Sequence, residues 1–342
     1  MSSANQFGHL FKITTFGESH GAAMGVVIEG CPAGVAVDRE LLSALLARRR
    51  PGLSNATSAR AETDECEIVS GVFEGKTLGT PITVLVRNRD ARSGDYDKIK
   101  SEPRRGHADD VWRDKFSNVD HRGGGRASGR ETVTRVIGGA FAQMFLHSLA
   151  AKSSVQSTAA VNVLALPASI GPMKFTDADY DLSASARFYL RESVWADVEK
   201  MLLGLKAEGD SAGGVVEVRI LDVPRGLGQP VFHKLKSELA AAMMSVGAVT
   251  GVELGGGFEI ASKRGLEVHR DSSESVYGGI RGGISTGEPI ILRVAFKPTS
   301  SILDVAKRGR HDPCILLRAL PVLESMASLV IADHVLWARL DN

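Results

Sequence analysis

The chain has 342 residues, of which 43% are hydrophobic and 24% are charged, and its formal net charge is +1. This composition is typical of a soluble globular protein with a sizeable core, and the near-neutral charge argues against a general nucleic-acid or membrane surface. The cysteines, Cys31, Cys66 and Cys314, form no CxxC pair. We therefore predict no metal site and a reducing, cytoplasmic location. We also predict neither a secretory signal nor a membrane span, because no apolar run is long enough.

A motif near the N-terminus recurs in the second half of the chain. GESHGAAMGVVIEGCPAG begins at Gly17, and GDSAGGVVEVRILDVPRG begins at Gly209. A second pair of stretches follows in the same order, GVFEGKTLGTPI from Gly71 and GIRGGISTGEPI from Gly279. Two matches in one order predict a duplicated unit. We place the pseudo-repeats at approximately residues 8–150 and 190–340, within a single domain of residues 1–342.

Each repeat predicts the same order of elements. An alternating strand (GVVIEG, VVEVRILDV) precedes a Pro-x-Gly turn and a helix, DRELLSALLARR begun by Asp38 or VFHKLKSELAAAMMSV begun after Pro230. A glycine-punctuated pair of strands follows, and then a Gly-Arg pair opens a second long helix. These units predict an α+β fold, a sandwich of antiparallel sheets around a helical layer with internal pseudo-twofold duplication. Residues 151–190 join the repeats, with residues 168–187 as a surface excursion.

Glycine and arginine cluster in the same loops. Glycine-rich stretches such as RGGGRASGR either make turns or let the backbone approach a phosphate or a flat cofactor. Arginines lie beside them in RRRPG, in RRGHAD and in RGGGRASGR. An arginine fork suits carboxylate and phosphate oxygens, so the sequence favours a small polyanionic ligand. For RRRPG, a helix C-terminus complementing its dipole explains the charges equally well.

Histidine and aspartate supply candidate proton carriers. His20 and His107 lie in the glycine- and arginine-rich loops, where each is either an acid–base group or a passive surface residue. In GRHDPC, Asp312 either caps the long helix that follows or takes part in chemistry. The KPTSS stretch, Lys297 to Ser301, ends a predicted strand and offers an ammonium group and hydroxyls to a phosphate.

Together these stretches resemble the chorismate synthase family over nearly the whole chain. The resemblance is carried, in order, by FKITTFGESHG, RRRPG, RGHAD, RGGGRASGRET, AVTGVELGGGF, GGIRGGIS, KPTSS and GRHDPC. It implies that the protein removes phosphate and a ring proton from 5-enolpyruvylshikimate-3-phosphate in a 1,4-elimination that yields chorismate. It also implies that reduced FMN is a catalyst and that the reaction has no net redox change. It further implies a separate flavin reductant, with NADP as an associated nicotinamide. The implied assembly is a homotetramer.

The resemblance also implies roles for individual residues. His20 matches the group that protonates the departing phosphate, His107 the group that protonates the reduced flavin, and Asp312 a group near the flavin N5 that assists its deprotonation. The implied substrate contacts are Ser19, Arg49, Arg104, Ser128 and Arg130. The implied FMN contacts are Arg126, Ala127, Ser128, Gly247, Ala248, Gly282, Lys297, Pro298, Thr299, Ser300, Ser301 and Arg310.

The chain departs from the family pattern at a few positions. Arg105 stands where proline is usual, Ala127 and Gly129 stand where serine and alanine are usual, and Asn55 replaces a basic residue. The LDVAKR segment before GRHDPC is shorter than the usual hairpin. Two other classes remain open at this stage, an FMN-dependent reductase that consumes reduced nicotinamide and a non-catalytic module that binds phosphorylated metabolites.

Overall fold

The computed structural model describes residues 4–50, 52, 64–88, 106–120, 122–152, 160–303 and 312–341. The first half contains seven strands: β1 (Gln6–Phe7), β2 (Lys12–Phe16), β3 (Ala23–Glu29), β4 (Cys66–Ile68), β5 (Val72–Phe73), β6 (Lys76–Thr77) and β7 (Ile82–Arg87). Five of them form an antiparallel sheet in the order β1-β2-β3-β7-β4, and β5 and β6 form a hairpin.

The described residues of the second half contain seven further strands: β8 (Asn162–Ile170), β9 (Met173–Lys174), β10 (Gly214–Leu221), β11 (Val249–Leu254), β12 (Ile280–Arg281), β13 (Ile284–Ser285) and β14 (Ile290–Phe296). The antiparallel sheet has the order β11-β14-β10-β8-β9, and β12 and β13 pair as a hairpin. In β7 and β14, alternate side chains are buried, which is the period expected when one face of a sheet covers a core.

Six α-helices lie within the described residues: α1 (Arg39–Arg49), α2 (Asp109–Phe116), α3 (Thr132–Lys152), α4 (Glu192–Glu208), α5 (Leu235–Met244) and α6 (Leu316–Ala338). Helix α3 packs on the first sheet through β2 and β3, and α6 packs on the second through β8 and β10. The two helices also pack against each other, with α1 touching both and α5 touching α6. The prediction of antiparallel sheets around a helical layer is therefore confirmed.

The contact between α3 and α6 is unusually close because it is built on glycine. A Cβ on Gly139 would lie 2.2 Å from the Cβ and 2.4 Å from the Cα of Ser325. A Cβ on the neighbouring Gly138 would lie 2.8 Å from a methyl group of Ile13 on β2. The adjacent glycines thus allow α3 to touch α6 on one side and the first sheet on the other.

Helix α6 is long and apolar enough to cross a membrane by length and composition alone. Its most apolar window is nevertheless 94% buried inside the fold. That burial is what a core helix requires, so the helix is weak support for a membrane span.

Matching hydrogen bonds occur in the two halves. The Thr77 hydroxyl donates to the Pro32 carbonyl oxygen at 2.6 Å and accepts from the Val35 amide at 3.0 Å. In the second half, the Ser285 hydroxyl donates to the Pro224 carbonyl oxygen at 2.6 Å and accepts from the Leu227 amide at 2.8 Å. In each half the hairpin is therefore fastened to the Pro-x-Gly turn by a hydroxyl at the same position.

Several helix boundaries test the local predictions. Asp38 caps α1 as predicted, since its carboxylate accepts from the amides of Glu40 and Leu41 at 2.9 and 2.8 Å. The prediction that a helix begins just after Pro230 is wrong, because α5 begins at Leu235. A turn closed by the Gln229 amide and the His233 carbonyl oxygen, at 2.9 Å, takes up the intervening residues.

One alternative left open by the sequence is resolved, and one further prediction needs correction. Asp312 does not cap the C-terminal helix, because α6 begins at Leu316 and its N-cap position is Ile315, without a side-chain hydrogen bond. The predicted surface excursion of residues 168–187 is partly wrong, because it starts inside β8, where Ile170 is fully buried. Ser169 and Ile170 pair there with β9, which places this end of the stretch in the second sheet.

The α3–α6 contact generates a stability prediction. Gly139→Ala should destabilise the protein by about 1–3 kcal/mol, because the added methyl group meets backbone atoms of a buried helix that cannot move aside. Gly204 of α4 is the matched control, since a Cβ there would meet nothing within 4 Å. Gly204→Ala should therefore stabilise the protein by roughly 0.5–1 kcal/mol. Urea unfolding of both variants measures the difference, and equal effects would contradict the proposed close packing.

Candidate active site

His20 lies in the loop between β2 and β3, where GESHG turns the chain. The Ser19 Oγ lies 3.1 Å from the His20 Nδ1 and donates to the Arg122 carbonyl oxygen at 3.3 Å. The contact with Ser19 engages Nδ1 and orients the ring, so we assign proton exchange to Nε2.

Two neighbours hold this loop in place. A Cβ on Gly123 would lie 2.1 Å from the His20 Nδ1, so the RGGG backbone lies directly against the imidazole. The side-chain Nδ2 of Asn88 donates to the carbonyl oxygens of Glu18 and Gly21 at 3.0 and 2.9 Å. His20 is therefore a positioned group rather than a passive surface residue.

A buried carboxylate, Asp64, joins two of the implied substrate arginines. The Arg49 Nη2 lies 2.5 Å from Oδ2 and the Arg130 Nη1 lies 2.6 Å from Oδ1, with the Arg50 Nε at 3.8 Å. The Asp64 side chain is 0% exposed, and those of Arg49 and Arg130 are 1% and 6% exposed. Burial alone would raise the pKa of Asp64, but the charges and hydrogen bonds of Arg49 and Arg130 lower it overall. Three guanidinium groups around one carboxylate leave a net positive charge.

The RGGGRASGR stretch forms short turns that precede α3. Its glycines at 123–125 have φ values of 62°, 82° and 51°, which only glycine adopts readily. Arg126 is fastened to β2 and to the loop after it, with its Nη2 donating to the Thr15 Oγ1 at 2.6 Å and its Nη1 donating to the Gly17 carbonyl oxygen at 3.4 Å. Arg126 thus links the glycine turn to the loop that carries His20.

Ser128 and Arg130 lie at the entrance to α3. The Ser128 side chain accepts from the Arg130 amide at 3.4 Å, and the Arg130 Nε donates to the Asn88 Oδ1 at 3.1 Å. Both implied substrate contacts therefore meet the Asn88 and Asp64 network. A Cβ on Gly129, which lies between Ser128 and Arg130, would meet nothing within 4 Å. No neighbouring residue therefore requires glycine at this position. Ala127, the other departure in this motif, closes the preceding 3₁₀ turn.

His107 is brought beside the KPTSS stretch although 190 residues separate them in sequence. The His107 Nδ1 lies 2.7 Å from the Asp109 Oδ1, which orients the ring. The preceding carbonyl oxygen, of Gly106, accepts from the Lys297 Nζ at 3.2 Å and from the Ser300 Oγ at 2.9 Å. RGHAD and KPTSS therefore form one surface.

Asp312 joins this second group of residues. Its carbonyl oxygen accepts from the Thr299 Oγ1 at 3.1 Å, and its Oδ2 accepts from the Arg318 Nη1 at 3.0 Å. The other carboxylate oxygen, Oδ1, is buried and accepts no hydrogen bond from any residue that the structure describes. A buried acceptor of this kind suits a ligand N–H.

The two groups meet at one edge of the helical layer. The Arg318 Nε donates to the Arg49 carbonyl oxygen at 3.1 Å, which connects Asp312 to the Asp64 network. Helices α3 and α6 run in the same general direction, since the contact at Gly139 is followed by a hydrogen bond of 3.3 Å from the Gln143 Nε2 to the Ser328 Oγ. Both N-terminal ends therefore lie at this edge, and their dipoles favour an anion there.

The remaining residues that the family resemblance singled out fall into three sets. Ala248 lies beside KPTSS, because its carbonyl oxygen accepts from the Lys297 amide at 3.0 Å, and Gly247 precedes it. Pro298 and Ser301 belong to the same stretch as Lys297. Gly282, by contrast, lies in the β12–β13 hairpin, which contacts the start of α5. Arg104 and Arg310 lie outside the described residues, as do Asn55 and Arg105.

Sequence reasoning missed three residues that organise the site. Asp64 lies among acidic neighbours in ETDECE, Asn88 ends a strand, and Arg318 lies within a helical pattern. Their spacing gives no local signal, because each acts on residues far away in the chain. The excess of arginine over nearby acid at RRRPG and RGGGRASGR is the one signal that could have indicated a compensating carboxylate, but the sequence analysis interpreted it as predicting an anionic ligand.

The cysteines contribute no nucleophile. Burial raises the pKa of Cys31, Cys66 and Cys314 to about 12 in each case. The thiols are therefore protonated near neutral pH, and covalent catalysis by a thiolate is excluded.

Known proteins resemble this chain over nearly its whole length. The family model described as chorismate synthase matches residues 11–336. The chain is 56% identical over 351 residues to a chorismate synthase of Bdellovibrio bacteriovorus, with 99% of each chain covered. It is 42% identical over 369 residues to one of Methanothermobacter thermautotrophicus, covering 98% of this chain and 95% of that protein.

A solved structure extends the likeness to the fold. The structure described as a crystal structure of chorismate synthase superposes with a TM-score of 0.73 at 30% identity, covering 97% of this chain and 93% of that one. Sequence and fold agree over almost the full length, and the chain belongs to the chorismate synthase family.

Proposed function

We propose that the protein catalyses the reaction of its family, the anti-1,4-elimination of phosphate and a ring proton from 5-enolpyruvylshikimate-3-phosphate, with reduced FMN and without net redox change. The observation that carries this proposal is the joining of two groups of residues at one edge of the helical layer. One group holds His20 among arginines, and the other holds His107 and Asp312 beside Lys297.

The first group suits a substrate with two carboxylates and one phosphate. Arg49 and Arg130 are held by a shared carboxylate, so their guanidinium planes are fixed before a ligand binds. Arg49, Arg50 and Arg130 bring guanidinium groups together around Asp64, and the geometry of a guanidinium suits carboxylate and phosphate oxygens. Ser19 and Ser128 add hydroxyl groups, and the start of α3 adds backbone dipoles.

The second group fits a flavin phosphate and ring. Lys297, Thr299 and Ser300 already share hydrogen bonds with neighbouring backbone, so their polar groups are oriented. The buried Oδ1 of Asp312 is an acceptor that matches a ring N–H. When bound, reduced FMN supplies electron density to the substrate as phosphate leaves. The proposed fit rests on these donors and acceptors. Family resemblance adds Arg126, Ala248 and Gly282 as further FMN contacts.

The chain's own residues then move the protons. His20, protonated at Nε2, donates to the departing phosphate, while the contact of its Nδ1 with Ser19 holds the ring. His107, oriented by Asp109, would hold a proton toward the bound flavin. Asp312 accepts a proton at Oδ1, and its salt bridge to Arg318 fixes the carboxylate plane.

The finer assignments are also proposals. We infer a duplicated ancestral unit, supported by the matching strand orders and by the equivalent hydroxyl bonds of Thr77 and Ser285. The second copy has Ala212 where the first has His20, so catalysis is asymmetric between the halves. We further propose a cytoplasmic homotetramer served by a separate flavin reductant that draws on NADPH.

The deciding experiment is anaerobic incubation of the protein with 5-enolpyruvylshikimate-3-phosphate and chemically reduced FMN. Equal amounts of chorismate and phosphate should form, with no net oxidation of the flavin. Steady consumption of reduced nicotinamide without chorismate would favour a reductase instead. Ligand binding without turnover would favour a non-catalytic module.

His20→Ala and His107→Ala should each lower turnover by about a hundredfold or more, because each removes a single acid–base group. Stopped-flow absorbance of chorismate measures the rates, and thermal unfolding checks that the variants fold. His269→Ala is the control, since this exposed histidine contacts Tyr277 and belongs to neither group. Wild-type turnover in a folded double variant would contradict the assignment.

Asp312→Asn should also lower turnover by about a hundredfold or more, because the amide cannot accept the proton. It should also lower stability, because Arg318 keeps a hydrogen-bond oxygen but loses the charge of its largely buried partner. Asp38→Asn is the matched control, because asparagine caps a helix about as well. Flavin binding is measured separately, and full activity at saturating reduced FMN would remove Asp312 from the chemistry.

Asp64→Asn should destabilise the protein by about 3–5 kcal/mol at neutral pH, because the buried guanidinium groups lose their compensating charge. It should also raise KM for the substrate more than it lowers kcat, as expected for a residue that positions arginines. The folded pKa lies below that of an unfolded aspartate, about 3.9. The stability gap between wild type and variant is therefore full above about pH 4 and narrows as the pH falls through the folded pKa. Urea unfolding at a series of pH values measures it, and a gap independent of pH would contradict an ionised Asp64.

A further inference from the structure

Three potential metal ligands meet at the far end of α6, away from the catalytic groups. His9 comes from the loop before β2, His233 from the turn before α5, and Glu238 from the first turns of α5. The His233 Nδ1 lies 2.8 Å from the Glu238 Oε1, and the His9 Nε2 lies 3.7 Å from the same oxygen. All three donor atoms lie within 4.8 Å of one another.

These distances suit a tetrahedral zinc ion. Ligand bonds of about 2.0–2.1 Å place neighbouring donor atoms roughly 3.4 Å apart. The two distances to the Glu238 Oε1, 2.8 and 3.7 Å, bracket that value, so binding requires small shifts of the side chains. Two imidazoles and one carboxylate are also a known zinc ligand set that leaves the fourth position for water.

The three side chains are held in place before any ion binds. The Asp333 carboxylate on α6 accepts from the backbone amides of His9, Leu10 and Phe11 at 2.8, 2.6 and 2.8 Å. The Trp337 ring lies 5.1 Å from the His9 ring and 5.2 Å from the His233 ring. The helix thus positions one ligand through its loop and both imidazoles through a common aromatic wall.

A third histidine marks this end of α6 as unusual. His334 is 1% exposed, and neither of its ring nitrogens has a hydrogen-bond partner among the described residues. Its ring stacks on Trp337 at 5.9 Å. An unpaired buried imidazole is costly, so its presence beside the other two indicates a polar site rather than ordinary core packing.

We propose that His9, His233 and Glu238 form a zinc-binding site that fastens the loop before β2 to α5. The side chains of His9, His233 and Glu238 are 40%, 44% and 20% exposed, so an ion and its water can enter from solvent. Along α6, His334 lies roughly 27 Å from the start of the helix at 1.5 Å per residue. The site therefore has no part in the elimination and acts on stability.

Metal binding to the full-length protein without an affinity tag tests the proposal. After treatment with a chelator and its removal, the protein is dialysed against Zn²⁺, and zinc is counted by atomic emission. The wild type should retain about one ion per chain, and Co²⁺ should give the visible absorption of a tetrahedral site. The temperature of unfolding should rise on Zn²⁺ addition, because the ion binds the folded state.

Three substitutions and one control make the result specific. His9→Gln, His233→Gln and Glu238→Gln should each weaken Zn²⁺ binding by at least about tenfold. His147→Gln, at an exposed position of α3, should bind as the wild type does. Thermal unfolding of the metal-free variants shows whether each one folds. If a histidine variant does not fold, the Zn²⁺ binding of Glu238→Gln decides the test. Loss of binding in the control, or wild-type binding in Glu238→Gln, would overturn the proposal, as would a wild type that retains no zinc.

Discussion

The contact of α3 with α6 at Gly139 and Ser325 is the constraint on which the rest of the structure depends. Each helix covers one sheet, so the separation of the two helices sets the separation of the two sheets. Any side chain beyond hydrogen at Gly139 would force the layers apart. The same contact sets the relative position of the helix starts, where the chemistry lies. A packing requirement in the core therefore becomes a positional requirement at the site.

Charge at the site is organised by buried carboxylates. Asp64 fixes two arginines, and Asp312 forms a salt bridge with Arg318, which in turn donates to the Arg49 carbonyl oxygen. Such pairs add little net stability, because desolvation of the ions offsets their attraction. What they supply is orientation, since a guanidinium fixed on one side presents its remaining surface in one direction. An enzyme that binds a multiply charged substrate benefits from that rigidity.

Helix α6 carries polar side chains along its buried length. Two of them, Glu324 and Asp333, bind different parts of the chain. Glu324 accepts from both terminal nitrogens of Arg48 at 2.7 and 2.8 Å and from the Ala165 amide at 3.0 Å, which joins α1 to β8. Asp333 holds the loop at His9. The helix therefore connects the catalytic edge, the second sheet and the proposed zinc site, although its composition alone would suit a membrane span.

The sequence by itself determined the features that depend on neighbouring residues and on period. It predicted the alternating strands, the two long helices, the cap at Asp38 and the family to which the motifs belong, because turn chemistry and side-chain period act over a few residues. Only the tertiary structure decided that Asp312 pairs with Arg318 instead of capping a helix, and that Asp64 lies between two arginines. It also decided that His9 meets His233 and Glu238. These contacts join residues far apart in the chain, and their partners are set by how the sheets and helices pack, which no local pattern encodes.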